Sequence, residues 1–217
     1  MSYKREFIQF MCEAGVLTFG DFVTKSGRNT PYFVNTGNYK TGAQIAKLGE
    51  FYAACMMENG IVPEVLFGPA YKGIPLCVAA AAALWNQHQI NLDYCFNRKE
   101  AKDHGEGGVL VGHKLKDGDK VVIIEDVITA GTAVRETLPI LKNAADIQLL
   151  GMIISVDRME KGTGDKSAVQ EVYEEFGLKV YPIVTIADII DCLRDGSIPG
   201  KEYLEKMLEY RKTYGIQ

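Results

Sequence analysis

Apolar and polar positions repeat along this chain with two different periods, and the change from one to the other marks out its elements. Phe7, Ile8, Phe10 and Met11 recur at helical spacing and stop at Gly15, which predicts a helix over 3–14. Residues 17–38 are irregular and rich in Gly, Ser, Thr and aromatics, with short strand-like pieces at 19–23 and 32–34. A helix follows over 44–57 and ends at Asn59-Gly60. Strand and helix patterns then take turns. Strand 65–67 precedes helix 74–86, and strand 92–97 precedes a long charged loop. Strand 120–126 leads to helix 131–143, and strand 148–156 to helix 168–176. Strand 179–183 and helices 186–193 and 201–211 complete the chain. Such alternation predicts an α/β protein with a central parallel sheet, right-handed crossovers and helices on its faces. No repeat or linker divides it. The expected organisation is one domain over 1–217, with a core at 41–184 and a small hood from 1–40 and 185–217 over the sheet's active edge.

One segment stands out chemically. Val121, Val122, Ile123 and Ile124 are four consecutive β-branched apolar residues, the pattern of a strand buried on both faces. Glu125 and Asp126 follow where that strand ends, then Val127, Ile128 and a small-residue turn, Thr129-Ala130-Gly131-Thr132-Ala133. The strand therefore delivers two acids to the sheet's carboxyl edge, where open α/β sheets bind ligands. The turn sets hydroxyls and free backbone N–H groups at a helix N-terminus, which suits a phosphate. Acids beside a phosphate cradle fit a phosphorylated sugar. The structural alternative is a plain strand-to-helix connection with Thr as its cap, but two carboxylates at a buried strand's end are costly without a task.

Three further segments carry candidate chemistry. Gly68-Pro69-Ala70-Tyr71-Lys72-Gly73 follows the first core strand, with glycines for close backbone approach and Lys72 as a point charge for a phosphate. Arg98, Lys99 and Lys102 alternate with Glu100, Asp103 and Glu106 around His104, in a stretch with three glycines at 105, 107 and 108. That stretch reads either as a solvated hairpin or as a lid that closes over diphosphate. Lys25-Ser26-Gly27-Arg28-Asn29-Thr30-Pro31-Tyr32-Phe33 combines basic groups with two aromatics, as a planar base would need. Asp157-Arg158 ends a later strand, a place where, taken alone, a surface ion pair is the more common reading.

The acidic strand end and its turn resemble the phosphoribosyl diphosphate (PRPP) signature of type I phosphoribosyltransferases. The pattern Arg98-Lys99-x-x-Lys102-x-His104-Gly105 and the Lys-Ser-Gly-Arg segment at 25–28, followed by Thr30-Pro31-Tyr32-Phe33, narrow the resemblance to the orotate phosphoribosyltransferase family. The one departure is Glu125, where Asp is also frequent. The resemblance implies a type I phosphoribosyltransferase fold and transfer of phosphoribose from PRPP to orotate. The products would be orotidine 5′-phosphate and diphosphate, in de novo UMP synthesis. It implies catalytic roles for Lys25, Lys72, Arg98, Lys99, Lys102, His104 and Asp126. PRPP would also meet Tyr71, Glu125, Val127, Ile128, Thr129, Ala130, Gly131, Thr132 and Ala133. Orotate would meet Lys25, Tyr32, Phe33, Thr129 and Arg158. It further implies Mg²⁺ held mainly by PRPP and water, and a homodimer in which the 98–108 loop serves the partner's site. A purine or uracil phosphoribosyltransferase would share 125–133 but not the 25–33 and 98–105 patterns. A regulatory PRPP sensor that binds nucleic acid would need an added basic region.

Composition trims the alternatives. A formal charge of −4 argues against a general nucleic-acid binder. No apolar run approaches the roughly 20 residues of a membrane span, and the N-terminus lacks an apolar signal core. Five scattered cysteines without C-x-x-C spacing read as core residues of a reducing compartment, so the expectation is cytoplasmic. His88, His104 and His113 share no zinc spacing with them. Gly162-Thr163-Gly164 lacks the third glycine of a dinucleotide fingerprint, no P-loop is present, and 159–169 fits no motif. The length leaves no room for a fused decarboxylase.

Overall fold

The computed structural model of this chain describes residues 2–24, 27–102, 108–128, 131–162 and 164–216. Helix α1 (Tyr3–Glu13) leads into an antiparallel hairpin of β1 (Leu17–Val23) and β2 (Asn29–Val34), longer than the strand-like pieces in the sequence suggest. A 3₁₀ turn (Thr36–Asn38) and α2 (Gly42–Glu58) follow. Thr41 opens α2 with a capping box: its hydroxyl accepts from Gln44 N–H, and the Gln44 side chain returns to the backbone of Thr41.

The remaining strands form one sheet. They are β3 (Val65–Gly68), β4 (Asp93–Lys102), β5 (Gly108–Gly112), β6 (Lys120–Ile124), β7 (Gln148–Asp157) and β8 (Val180–Thr185), in the order β5-β4-β3-β6-β7-β8. Pairing is parallel from β4 through β8. At the edge the expected parallel sheet gains one antiparallel strand. β4 runs on past Asn97 to Lys102, and β5 returns antiparallel to it across an irregular register. That extension falls in what reads as a charged loop. An edge hairpin can keep charged side chains in water, so it needs no apolar period to form.

Both faces of the sheet are covered. Along β6, Val122 and Ile124 face a core built with α2, α3 (Gly73–His88) and α6 (Ile186–Asp195), while Val121 and Ile123 face α4 (Thr132–Ala144) and α5 (Ala168–Phe176). All four are fully buried, which is why the strand carries no polar alternation. Ser167 and Thr185 open α5 and α6 with capping boxes of the same kind as that of α2. The closing helix α7 (Leu204–Tyr214) packs on β2 and α6, so the N-terminal hairpin and the C-terminal helices form one layer beside the carboxyl ends of the strands. Among the described residues, no helix is long and apolar enough to cross a membrane.

Helices α2 and α3 pack directly against each other. A Cβ on Gly49 would sit 2.4 Å from the Ala79 carbonyl oxygen, so the two helix backbones touch where no side chain fits. Backbone cannot step aside as a flexible side chain can. Gly49→Ala is therefore expected to destabilise the fold by about 1–3 kcal/mol, despite its better helix propensity, and urea unfolding should show a lowered midpoint.

Candidate active site

The strand order reverses between β3 and β6, which places a crevice at their carboxyl ends. The 68–73 loop forms one side and the turn after β6 the other. The loop is packed against its neighbours without slack. A Cβ on Gly68 would meet the Gly73 carbonyl at 2.4 Å, and one on Gly73 would meet Pro69 at 2.6 Å and the Ile124 carbonyl at 2.8 Å. The Ala70–Tyr71 peptide is cis, and Ala70 N–H donates to the buried Asn97 side chain at 2.9 Å. Asn97 thereby joins the loop to β4.

The two acids are held in different ways. Backbone contacts fix both: the Tyr52 hydroxyl donates to the Glu125 carbonyl at 2.7 Å, and the Ser155 hydroxyl and N–H donate to the Asp126 carbonyl at 2.7 and 2.8 Å. The Asp126 carboxylate accepts from Lys72 Nζ (2.9 Å) and the Thr36 hydroxyl (2.8 Å) on one oxygen, and from Val127 N–H (2.7 Å) on the other. Burial pushes its pKa up, but the bonds from Lys72 and then Thr36 outweigh that and hold Asp126 below its usual range. Glu125 accepts from Asp126 N–H at 2.9 Å, and burial together with the charge of Asp126 holds its carboxyl above the usual range. A cavity of about 120 Å³ opens between Thr36, Tyr52, Lys72, Leu76, Asp126 and Ser155.

The turn after β6 meets the start of α4 at Gly131, whose φ of 68° is the left-handed conformation that favours glycine. Glu125, Val127, Ile128, Gly131, Thr132 and Ala133 line a hollow there, at the N-terminus of a 13-residue helix. Thr129 and Ala130 lie outside the described residues, as do Lys25 and His104 and the side chain of Lys102. Of the cations described, Lys72 is at the centre, half-buried Arg98 is on β4, and exposed Lys99 lies 5.3 Å over the Tyr71 ring. The structure thus brings Lys72, Tyr71, Lys99, Glu125 and Asp126 to one crevice.

Arg158 stands at the end of β7, on the hood side. Its Nε donates to the Tyr32 hydroxyl and to Glu160 Oε1, both at 3.0 Å, and its Nη2 lies 2.8 Å from the same Glu160 oxygen. Tyr32 is 1% exposed and its carbonyl accepts from the Thr30 hydroxyl, whereas Phe33 is 41% exposed and lies beside Phe22. Thr36, Tyr52, Asn97, Ser155 and Glu160 all shape the site and belong to no motif readable from sequence. Ser155 and Asn97 had a signal, as polar residues at or near the ends of apolar strands.

The opposite shifts of the two acids have opposite consequences for stability. Glu125 binds its proton more tightly in the folded protein than in the unfolded chain, so stability falls as pH rises above the ordinary glutamate value of 4.5. Asp126 does the reverse, contributing stability above 3.8 that is lost as pH falls. Glu125→Gln keeps the acceptor for Asp126 N–H and removes the titration. The variant should gain on the native protein between pH 4.5 and neutrality by about 1 kcal/mol or more. Urea unfolding of both proteins across that range checks this, and parallel curves would contradict it.

Comparison with known proteins agrees with this geometry. The model of the phosphoribosyl transferase domain matches residues 35–180. An orotate phosphoribosyltransferase of Clostridium beijerinckii is 57% identical over 222 residues, covering 100% of this chain and 99% of that protein. One from Vibrio cholerae is 50% identical over 216 residues, covering 99% of each. The crystal structure of the Francisella tularensis orotate phosphoribosyltransferase superposes with a TM-score of 0.87 at 37% identity, over 97% of this chain and 99% of that one. With full-length relatives this similar, and with the acidic pair, the 68–73 loop and Arg158 around one sheet edge, the chain belongs to the orotate phosphoribosyltransferase family.

Proposed function

We propose that this chain transfers the phosphoribosyl group of PRPP to orotate, releasing diphosphate and forming orotidine 5′-phosphate, a step of de novo UMP synthesis. The observation that carries the reading is the Lys72–Asp126 pair, 2.9 Å apart at the switch point between β3 and β6. It sets a cation for diphosphate beside a carboxylate for ribose hydroxyls, with a helix N-terminus for the 5-phosphate next to both. In this reading substrate binding re-partners the pair. Lys72 turns to the diphosphate, and Asp126, with Glu125, accepts from the ribose hydroxyls.

The reaction breaks the bond from ribose C1 to diphosphate and forms one from C1 to the pyrimidine nitrogen, whose N–H proton leaves to the diphosphate or to water. Positive charge develops on the ribose and negative charge on the leaving group. Lys72, Arg98 and Lys99, joined by Lys25, Lys102 and His104, stabilise the diphosphate. The acids stay beside the ribose. The 127–133 turn holds the 5-phosphate, while Arg158, Lys25, Thr129 and the Tyr32–Phe33 backbone take orotate. Among the described residues, no three His, Cys, Asp or Glu converge to hold an ion by themselves. The donors present, chiefly the Asp126 carboxylate, fit Mg²⁺ that arrives with oxygen ligands from diphosphate and water. When bound, Mg²⁺ neutralises charge on the leaving group. We assign the enzyme to the cytoplasm, in keeping with its five free cysteines.

The assay is loss of orotate absorbance with PRPP and Mg²⁺. Activity should vanish in excess chelator, and uracil should be a very poor substrate because it lacks the carboxylate. Arg158→Ala should cost on the order of 2–5 kcal/mol in orotate binding and leave PRPP nearly unaffected. Equal use of uracil and orotate would overturn the assignment.

We further propose a homodimer whose 98–108 loop reaches the partner's site. The β4–β5 hairpin supports this by its place at the sheet's outer edge. Lys99 already meets Tyr71 of its own chain, so the trans contribution belongs to residues beyond it. Mixing Lys102→Ala with Asp126→Asn chains gives each mixed dimer one site with both lesions and one with neither. Activity should recover towards half of native per mixed dimer; no recovery, with mixed dimers shown to form, would mean that the loop acts on its own subunit.

A further inference from the structure

The segment after β7 has no motif, yet it makes the most elaborate polar contacts outside the acidic pair. Asp157 accepts from Met159 N–H at 2.8 Å, and Met159 takes a φ of 51°, rare for a residue with a side chain. This turn throws Arg158 and Glu160 to the same side. Further contacts fix the segment behind them. Arg28 donates to the carbonyls of Lys161 (3.0 Å) and Gly162 (3.1 Å), Lys161 N–H donates to Tyr214, and Ile216 N–H donates to Met159. The base of the hairpin, the segment after β7 and the C-terminus are thereby tied into one frame.

Within that frame one carboxylate oxygen does most of the work. Glu160 Oε1 accepts from Arg158 Nε and Nη2 and from the Tyr32 hydroxyl, the last at 2.7 Å. Tyr32 also accepts from Arg158 Nε, and its ring lies under the guanidinium, 5.1 Å from its centre. The Nε–Nη2 edge of the guanidinium is thus occupied from within the protein. Nη1 has no partner among the described residues, which leaves the Nη1–Nη2 edge for a planar carboxylate to meet with two parallel bonds. An arginine on a flexible stem would otherwise lose much of that gain to ordering.

We infer that Glu160 and Tyr32 are positioning residues for substrate choice: they clamp one edge of Arg158 so that its other edge is presented to the carboxylate of the pyrimidine substrate. The inference rests on the proposed role of Arg158 in holding orotate. It also gives Glu160 an electrostatic part. Its charge is shared with Arg158, so an incoming carboxylate meets an ion pair and not a bare cation.

Steady-state kinetics on the full-length protein separate the two levels, with Arg158→Ala as reference. Tyr32→Phe and Glu160→Ala should each raise the KM for orotate about tenfold with the KM for PRPP within twofold of native. Glu160→Gln keeps the acceptor oxygen and should restore the orotate KM to native or below. An unchanged PRPP KM reports an intact fold in each variant. If Arg158→Ala leaves the orotate KM unchanged, the assignment of Arg158 falls and the clamp falls with it. If Arg158→Ala raises the orotate KM but Tyr32→Phe and Glu160→Ala do not, or Glu160→Gln is as impaired as Glu160→Ala, the clamp alone is overturned.

Discussion

A carboxylate at the buried end of a strand must find partners, and in this protein the partners of Asp126 come from two distant parts of the chain. Lys72 arrives from the loop after β3, and Thr36 from the turn after the N-terminal hairpin. Losing either would leave charge in a site only 7% exposed, so the pairing fixes where the loop and the hairpin stand relative to β6. The Thr36 hydroxyl also lies 3.3 Å from Lys72 Nζ, so the three groups close on one another. The cavity among them is the space this arrangement leaves.

Backbone packing makes the arrangement rigid. Gly68 and Gly73 let the 68–73 loop fold against the end of β6 at distances no side chain would permit, and Asn97 ties the same loop to β4. Three adjacent strands therefore hold Lys72 through main-chain contacts, and a long, entropically costly side chain starts from a fixed root. Glu125 shows the converse. It has a fixed backbone, its carboxylate accepts from Asp126 N–H, and burial raises its affinity for a proton.

The site has a second pole at Arg158, built on a different principle. Around Asp126 the protein supplies a cation, a hydroxyl and a backbone N–H to one carboxylate. Around Arg158 it supplies an acid and a phenol that use up part of the guanidinium. Burial keeps the Tyr32 phenol neutral, so it can donate to Glu160 while accepting from Arg158. The N-terminal hairpin and the turn that follows it touch both poles, Tyr32 at one and Thr36 at the other. Hydrogen bonds from this stretch thus couple the two poles.

Local pattern determined the elements. The run 121–124 could only be a doubly buried strand, Thr41, Ser167 and Thr185 mark the starts of three helices, and alternation over 65–183 implied the layered α/β form. Residues adjacent in the chain were equally readable: Glu125 beside Asp126, Lys72 within its glycines, Arg158 at a strand end. Tertiary structure decided the rest. Thr36 lies 90 residues from Asp126, Tyr32 lies 126 from Arg158, and nothing in the periodicity of either segment encodes the meeting. The β4–β5 hairpin was hidden for a related reason, since β4 continues past Asn97 through Arg98-Lys99-Glu100, which carry no apolar period. Glu160 reads in the sequence as one more surface charge. Its role appears only once the fold lays Tyr32 and Arg158 against it, because a hydrogen-bond network is a property of positions in space, whereas helices and strands are properties of spacing along the chain.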